Sequence, residues 1–186
     1  MAVKKIITPV FRVSFPNVFE ATSYQGGAPK YGVTAVFDPE TFSEADKVRW
    51  QEMMSPADEA SLERFKKPLE KLPANFKKPV REGSEKEGLA GFGEGLVFCS
   101  FTSRNKPGIV NVDGVTAIED DADFYPGCYA RATINAYAYE NVGKGVAFGL
   151  QNLKKIKDGE RLDSRTDASD DFGDLGEEEE SVDSLG

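Results

Sequence analysis

Apolar and polar positions alternate with a period of two over much of this chain, and one stretch in its first half changes to helical composition. Residues 5–20, KIITPVFRVSFPNVFE, predict an extended strand in which Phe11, Val13 and Phe15 alternate with Arg12 and Ser14. A turn-forming loop, SYQGGAP at 23–29, leads to a second strand over 30–37, closed by Asp38-Pro39. Residues 41–54 predict a helix with Ser43 as N-cap and Asp46 three residues on. Pro56 separates it from a second short helix expected over 58–71. Pro68, Pro73 and Pro79 then punctuate a basic stretch over 66–81, and 82–95 reads as a charged, glycine-rich loop. Strands return over 96–103, 109–112, 128–140 and 146–156, with turns at 104–108, 113–114, 125–127 and 141–145. The pattern predicts an all-β fold of five or six strands, with two short helices between the second and third strands over 41–72.

The strand from Cys128 to Tyr139 is the most informative segment, because strand side chains alternate between two faces. Cys128, Ala130, Ala132, Ile134, Ala136 and Ala138 share one face, small and apolar as the interior of a small barrel requires. Tyr129, Arg131, Thr133, Asn135, Tyr137 and Tyr139 share the other. Three tyrosines with a cation and hydrogen-bonding groups are unlike an ordinary solvent face. Rings that stack on bases, with cations for phosphates, are what a platform for single-stranded nucleic acid needs. The same rings would also serve as packing under the helical insert or at a dimer interface.

Basic residues fall where strands turn. Arg104 and Lys106 flank one turn, Lys144 sits in Asn141-Val142-Gly143-Lys144-Gly145, and Lys30 precedes Tyr31 on the second strand. Loop cations beside strand aromatics could form a groove that follows a sugar-phosphate backbone. Lys154, Lys155 and Lys157 close the last strand, where protection of a sheet edge explains them equally well.

Charge changes the picture at the C-terminus. Residues 1–157 hold 21 Lys and Arg against 20 Asp and Glu, whereas 158–186 hold 2 against 12, a net of −10. With six residues of Ala, Val, Leu or Phe type, that segment cannot offset its ordering entropy by burial, so a disordered acidic tail is expected from 158. Such a tail would compete with phosphates for the body's cations. Asp170, Asp171, Phe172, Asp174 and Leu175 are its candidate anchor for partner proteins.

The sequence contains no histidine, which excludes a Ser-His-Asp triad, a Cys-His pair and a histidine-ligated metal. Cys99 and Cys128 are not spaced as a zinc or redox motif and are expected as buried thiols in a reducing compartment. The apolar run in MAVKKIITPVF is too short for a signal peptide, and no run is long enough to span a membrane. Gly91-Phe92-Gly93-Glu94-Gly95 lacks dinucleotide-binding spacing, and Gly143-Lys144-Gly145 lacks the rest of a phosphate-binding loop. Glu119, Asp120, Asp121 and Asp123 could hold a divalent cation in a nuclease, but they lack a calcium-loop pattern and read as an acidic surface loop.

Residues 126–162, PGCYARATINAYAYENVGKGVAFGLQNLKKIKDGERL, resemble the C-terminal half of a family of phage-encoded single-stranded DNA-binding proteins. Asn105-Lys106-Pro107-Gly108-Ile109-Val110 and the strand start over 8–20 are similar in kind. The resemblance implies an OB-type barrel with an acidic C-terminal tail, and work on exposed phage DNA in replication or recombination without strong sequence preference. It carries over Tyr129, Arg131, Tyr137, Tyr139, Lys144 and Phe148 as DNA contacts. Many acidic-tailed single-strand binders end in phenylalanine; this chain ends Asp183-Ser184-Leu185-Gly186 and carries its one tail aromatic, Phe172, internally.

The expectation is therefore an OB-type single-stranded DNA-binding domain over 1–157 and a disordered tail over 158–186. It is not an enzyme, needs no metal or cofactor, does not engage a membrane, and acts in the cytoplasm of the infected bacterial host. Its partners are single-stranded DNA and, through the tail, replication or recombination proteins. The helical insert is a candidate contact for a homo-oligomer. The alternative is an acidic-tailed protein-interaction or DNA-mimic factor whose body binds no DNA.

Overall fold

The computed structural model describes residues 5–23, 26–141 and 143–163. Eight strands and one α-helix lie among them: β1 (Ile6–Ile7), β2 (Phe11–Thr22), β3 (Lys30–Phe37), α1 (Glu44–Phe65), β4 (Arg81–Glu82), β5 (Val97–Ser103), β6 (Gly108–Val110), β7 (Tyr129–Tyr139) and β8 (Gly145–Lys157). Five strands pair in a closed circuit, β2-β3-β5-β8-β7 and back to β2. Every pairing in it is antiparallel except β5 with β8, where Phe101 lies beside Phe148 and Thr102 beside Gly149. The short strands β1, β4 and β6 extend β7, β5 and β8 respectively.

Register places every second residue inside. Val33 pairs with Phe101 and Ala35 with Cys99, while Ala132 pairs with Leu153, Ile134 with Leu150 and Ala136 with Phe148. Phenylalanines fill the space between these small residues. Phe11 meets Phe37 and Phe101 edge-on at 5.6 and 5.8 Å, and Phe101 meets Phe148 at 5.8 Å. Both cysteines are buried free thiols, and burial pushes each thiol pKa up.

The two expected helices are one. Asp46, Met53, Ala57 and Ser61 are the buried residues of α1, and Pro56 lies inside it. An internal proline removes one helix hydrogen bond and costs roughly 3 kcal/mol. Burial of Met53 and Ala57 on either side of Pro56 offsets that penalty. The helix stops at Lys66, in the left-handed conformation with φ 65°. The strand expected over 5–20 is two, because Thr8–Val10 leaves the ladder: the Thr8 amide donates to Ala132 O at 3.0 Å and the Ala132 amide to Thr8 Oγ1 at 3.0 Å. Strands β1 and β4 bring the total above the five or six expected. No helix among the described residues is long and apolar enough to cross a membrane.

One buried carboxylate pins α1 to the sheet. Ser43 Oγ caps the Asp46 amide at 3.1 Å. Asp46 then accepts from the Val10 amide at 3.1 Å, from Arg49 at 3.0 Å and from Arg131 Nη1 at 2.7 Å. Arg131 also donates to Thr8 O at 3.1 Å. Burial raises the Asp46 pKa, but the hydrogen bonds from Arg131 and Val10 and the Arg131 charge outweigh it, so the net shift is downward. Asp46→Ala leaves two arginines without their carboxylate and is expected to cost about 3 kcal/mol at neutral pH in denaturant unfolding. The contribution is complete above the ordinary carboxylate range and is lost as pH falls through the depressed value. The difference between parent and variant should therefore shrink in strong acid and stay constant from weakly acidic to neutral pH.

Candidate nucleic-acid interface

The outward row of β7 runs Tyr129, Arg131, Thr133, Asn135, Tyr137 and Tyr139, as alternation requires when the alanines face in. Tyr137 is 39 % exposed, and its ring lies 6.4 Å from that of Tyr139. Burial raises the Tyr139 pKa, followed by the neighbouring Tyr137. The Tyr137 ring is thus not sealed beneath α1, whereas that of Tyr139 is partly buried. The helix runs beside β7, tied near one end by Asp46 to Arg131 and at the other by Arg64 to Glu140 at 3.3 Å.

The turn after Tyr139 adds cations. Lys144 Nζ lies 5.8 Å from the centre of the Phe76 ring, the Lys77 amide donates to Lys144 O at 2.9 Å, and the Val146 amide donates to Lys77 O at 3.0 Å. Phe76 and Lys77 belong to the basic 66–81 stretch, where proline spacing gave no sign that the chain returns to this hairpin. Phe76 is itself held edge-on against Phe65, at the end of α1, at 4.9 Å.

Tyr129 occupies a second cationic setting. Lys157 Nζ stands 4.7 Å from its ring centre and Arg12 Cζ 5.9 Å. Tyr129, Arg12, Arg131 and Lys157 line a cleft of about 610 Å³ together with Asp38, Ser43, Gly91 and Leu96. Arg12 was not singled out from sequence, and Lys157 was read equally as protection of a sheet edge. Their joint approach to one ring depends on the pairings Arg12 with Tyr129 and Tyr129 with Lys157. At the start of β3, Tyr31 pairs with Ser103, the last residue of β5. Lys30 and Tyr31 therefore sit at the same sheet end as the turn carrying Arg104 and Lys106, and all three cations are exposed.

The expected DNA contact at Phe148 is corrected. Phe148 is fully buried, paired with Ala136 and packed on Phe101, because it falls on the inward register of β8. Arg131 points outward but is committed to Asp46 and Thr8 O. The acidic loop carrying Glu119, Asp120, Asp121 and Asp123 is exposed, and no set of three acidic or thiol groups among the described residues is placed to hold a metal ion.

The expected start of the tail also moves. Residues 158–163 pack on the body, whereas 164–186, with Asp170, Asp171, Phe172, Asp174 and Leu175, lie outside the described residues. Tyr125 donates to Asp158 at 2.8 Å, and buried Lys155 pairs with the same carboxylate at 2.6 Å. Hydrogen bonds from Lys155 and then Tyr125 lower the Asp158 pKa, and burial, with Asp158, lifts Tyr125 to about 12. Arg12 donates to Glu160 O at 2.7 Å, and the Leu162 amide donates to Pro126 O at 2.9 Å.

This strap needs glycine at its closest approach. A Cβ on Gly159 would stand 2.1 Å from Gly127 O, and one on Gly127, at φ 112°, would stand 2.0 Å from Glu160 O. Gly159→Ala is expected to displace the strap, costing about 1–3 kcal/mol in thermal unfolding. It should also open residues 158–163 to limited proteolysis while the five-strand circuit persists.

A closed five-strand circuit whose outer surface carries aromatic rings beside cations defines a candidate nucleic-acid-binding fold. The chain belongs to the family described as Enterobacter phage Enc34, ssDNA-binding protein, which matches residues 4–183. It is 30% identical over 181 residues to putative protein p50 of Acyrthosiphon pisum secondary endosymbiont phage 1, covering 91% of this chain and 92% of that one. Its fold is similar to that of the single-stranded DNA-binding protein from bacteriophage Enc34 in complex with ssDNA, at a TM-score of 0.71 and 20% identity, covering 86% of this chain and 89% of that one. For a second structure of that phage protein, the TM-score is 0.64 at 22% identity, over 90% of this chain and 89% of that one.

Proposed function

We propose that this chain is a non-catalytic single-stranded DNA-binding protein of phage replication or recombination, acting in the cytoplasm of the infected bacterial cell without strong sequence preference. The observation that carries the reading is the outward tyrosine pair on the hairpin that bears Lys144, with Tyr137 exposed and Tyr139 partly buried beside it. Stacking on such rings is tolerant of sequence because every base has a π face. Membership of the Enc34 family and likeness to an ssDNA-bound fold support the same substrate.

We read the circuit β2-β3-β5-β8-β7, with its one parallel pairing, as an OB-type barrel. Folds of that type bind oligonucleotides on the face of their second and third strands and on the loops between strands one and two and strands four and five. In this chain those strands are β3 and β5, and the loops are 23–29 and 140–144. Lys30 and Tyr31 adjoin the first loop, and Lys144 lies on the second. On the outward face of β3 and β5, Gly32, Thr34, Ser100 and Thr102 form a low polar floor on which a strand can lie, beside the covered pair Val36 and Phe98.

Tyr137→Ala with Tyr139→Ala should weaken binding of a labelled oligothymidylate by anisotropy, on the scale of about 1–3 kcal/mol per base lost. Thermal stability should change by less than about 1 kcal/mol. A collapse in stability without a specific loss of binding would return these rings to a packing role.

The acidic tail is the regulatory part of the proposal. Residues 164–186 hold one arginine against nine Asp and Glu, a net of −8. Tethered beyond the strap near Arg12, they would compete with DNA phosphates and present a docking segment to replication or recombination proteins. Removing 164–186 should tighten single-strand binding at low salt and steepen its salt dependence, the two chains converging at high salt where the tail is screened. Should the shortened chain instead bind no single-stranded DNA, the alternative of a tail-centred interaction protein would replace this reading.

A further inference from the structure

Strand β2 contains a bulge that aims a phenylalanine away from the sheet. Its register with β3 shifts between the pairs Ser14 with Thr34 and Asn17 with Gly32. The inserted residue Phe15 has φ 44°, a conformation that bulky side chains rarely adopt. Bulges re-aim side chains, and strained backbone persists where its surroundings or a function demand it. Here the outcome is a large apolar ring that is 51 % exposed. Burial in the core does not account for that placement.

The ring's surroundings suit a base. The Phe92 ring lies 6.2 Å from Phe15 at an interplanar angle of 30°, and Phe92 stands edge-on to buried Phe98 at 5.3 Å. Lys86 Nζ lies 5.9, 5.9 and 5.4 Å from the centres of Phe15, Phe92 and Phe98. One ammonium thus serves three rings at the border of the β3–β5 floor, because Phe15 follows Ser14, the partner of Thr34. The Gly91–Gly95 segment, which lacks nucleotide-binding spacing, has a different use: it carries Phe92 to this position.

We propose that Phe15 is a base-stacking residue of the DNA groove, backed by Phe92 and accompanied by Lys86 as a phosphate contact, so that the 83–96 loop forms one wall of the groove. This rests on the single-stranded DNA reading above and extends it to a site separate from the β7 tyrosines. An unpaired base lies on the open side of Phe15, and the ring's tilt toward Phe92 leaves no room for a second base between them.

The test uses the full chain and a labelled oligothymidylate. Phe15→Leu keeps apolar bulk and removes the aromatic face; it should weaken binding about 5- to 100-fold with an unchanged melting temperature. Phe15→Trp keeps a stacking face and should bind as tightly as the parent. Lys86→Gln should reduce the slope of log Kd against log salt by about 0.7. Binding of Phe15→Leu equal to the parent's would overturn the subsite while leaving the function standing. So would a matched loss of binding and stability in both Phe15 variants. Failure of the parent itself to bind single-stranded DNA would instead overturn the function, and the subsite with it.

Discussion

Closing five strands around a small interior restricts side-chain volume there, and the rest of the molecule depends on that restriction. Phe11, Phe37, Phe101 and Phe148 occupy the space, so β7 can offer little beyond alanine and one isoleucine on the same side. Interiors at native density tolerate neither added methylenes nor voids without cost. The inward row therefore holds β7 in one register, and a shift by one residue would turn three tyrosines and Arg131 inward. The chemistry of the outer surface follows from the packing of the inner one.

Cations occur in two roles on that surface. Arg131 is half-buried and neutralised by Asp46, so it joins helix to sheet. Lys155, buried beside Tyr125 and paired with Asp158, anchors the strap. Lys157, Lys144 and Lys86 lie close to aromatic rings, and no carboxylate pairs with them among the described ion pairs. A cation near a ring face is held at modest cost and keeps its charge available. Burial and pairing, rather than residue type, separate the structural cations from those suited to phosphate.

The strap links this surface to the acidic segment beyond it. By interlocking Gly127 with Gly159 and engaging Arg12 through Glu160 O, it holds residues 158–163 against the body. Gly159 lies against the Tyr129 ring, which also has Lys157 beside it.

Local pattern was enough to place β3, β5, β7 and β8, the Ser43 cap and the two faces of β7, since strand alternation and capping act within a few residues. It also placed Tyr129, Tyr137, Tyr139 and Lys144 outward and both cysteines inside. Phe148 was carried over from the resemblance, against the alternation of Val146, Phe148 and Leu150 that sets it on the inward face of β8. Pro56 was read as a helix break because packing on Met53 and Ala57 is invisible to a local rule. The meeting of Arg12, Tyr129 and Lys157, of Phe76 with Lys144, and of Phe15 with Lys86 and Phe92 joins segments distant in sequence. Those juxtapositions come from closure of the sheet and a strand bulge, so only the tertiary structure could decide them.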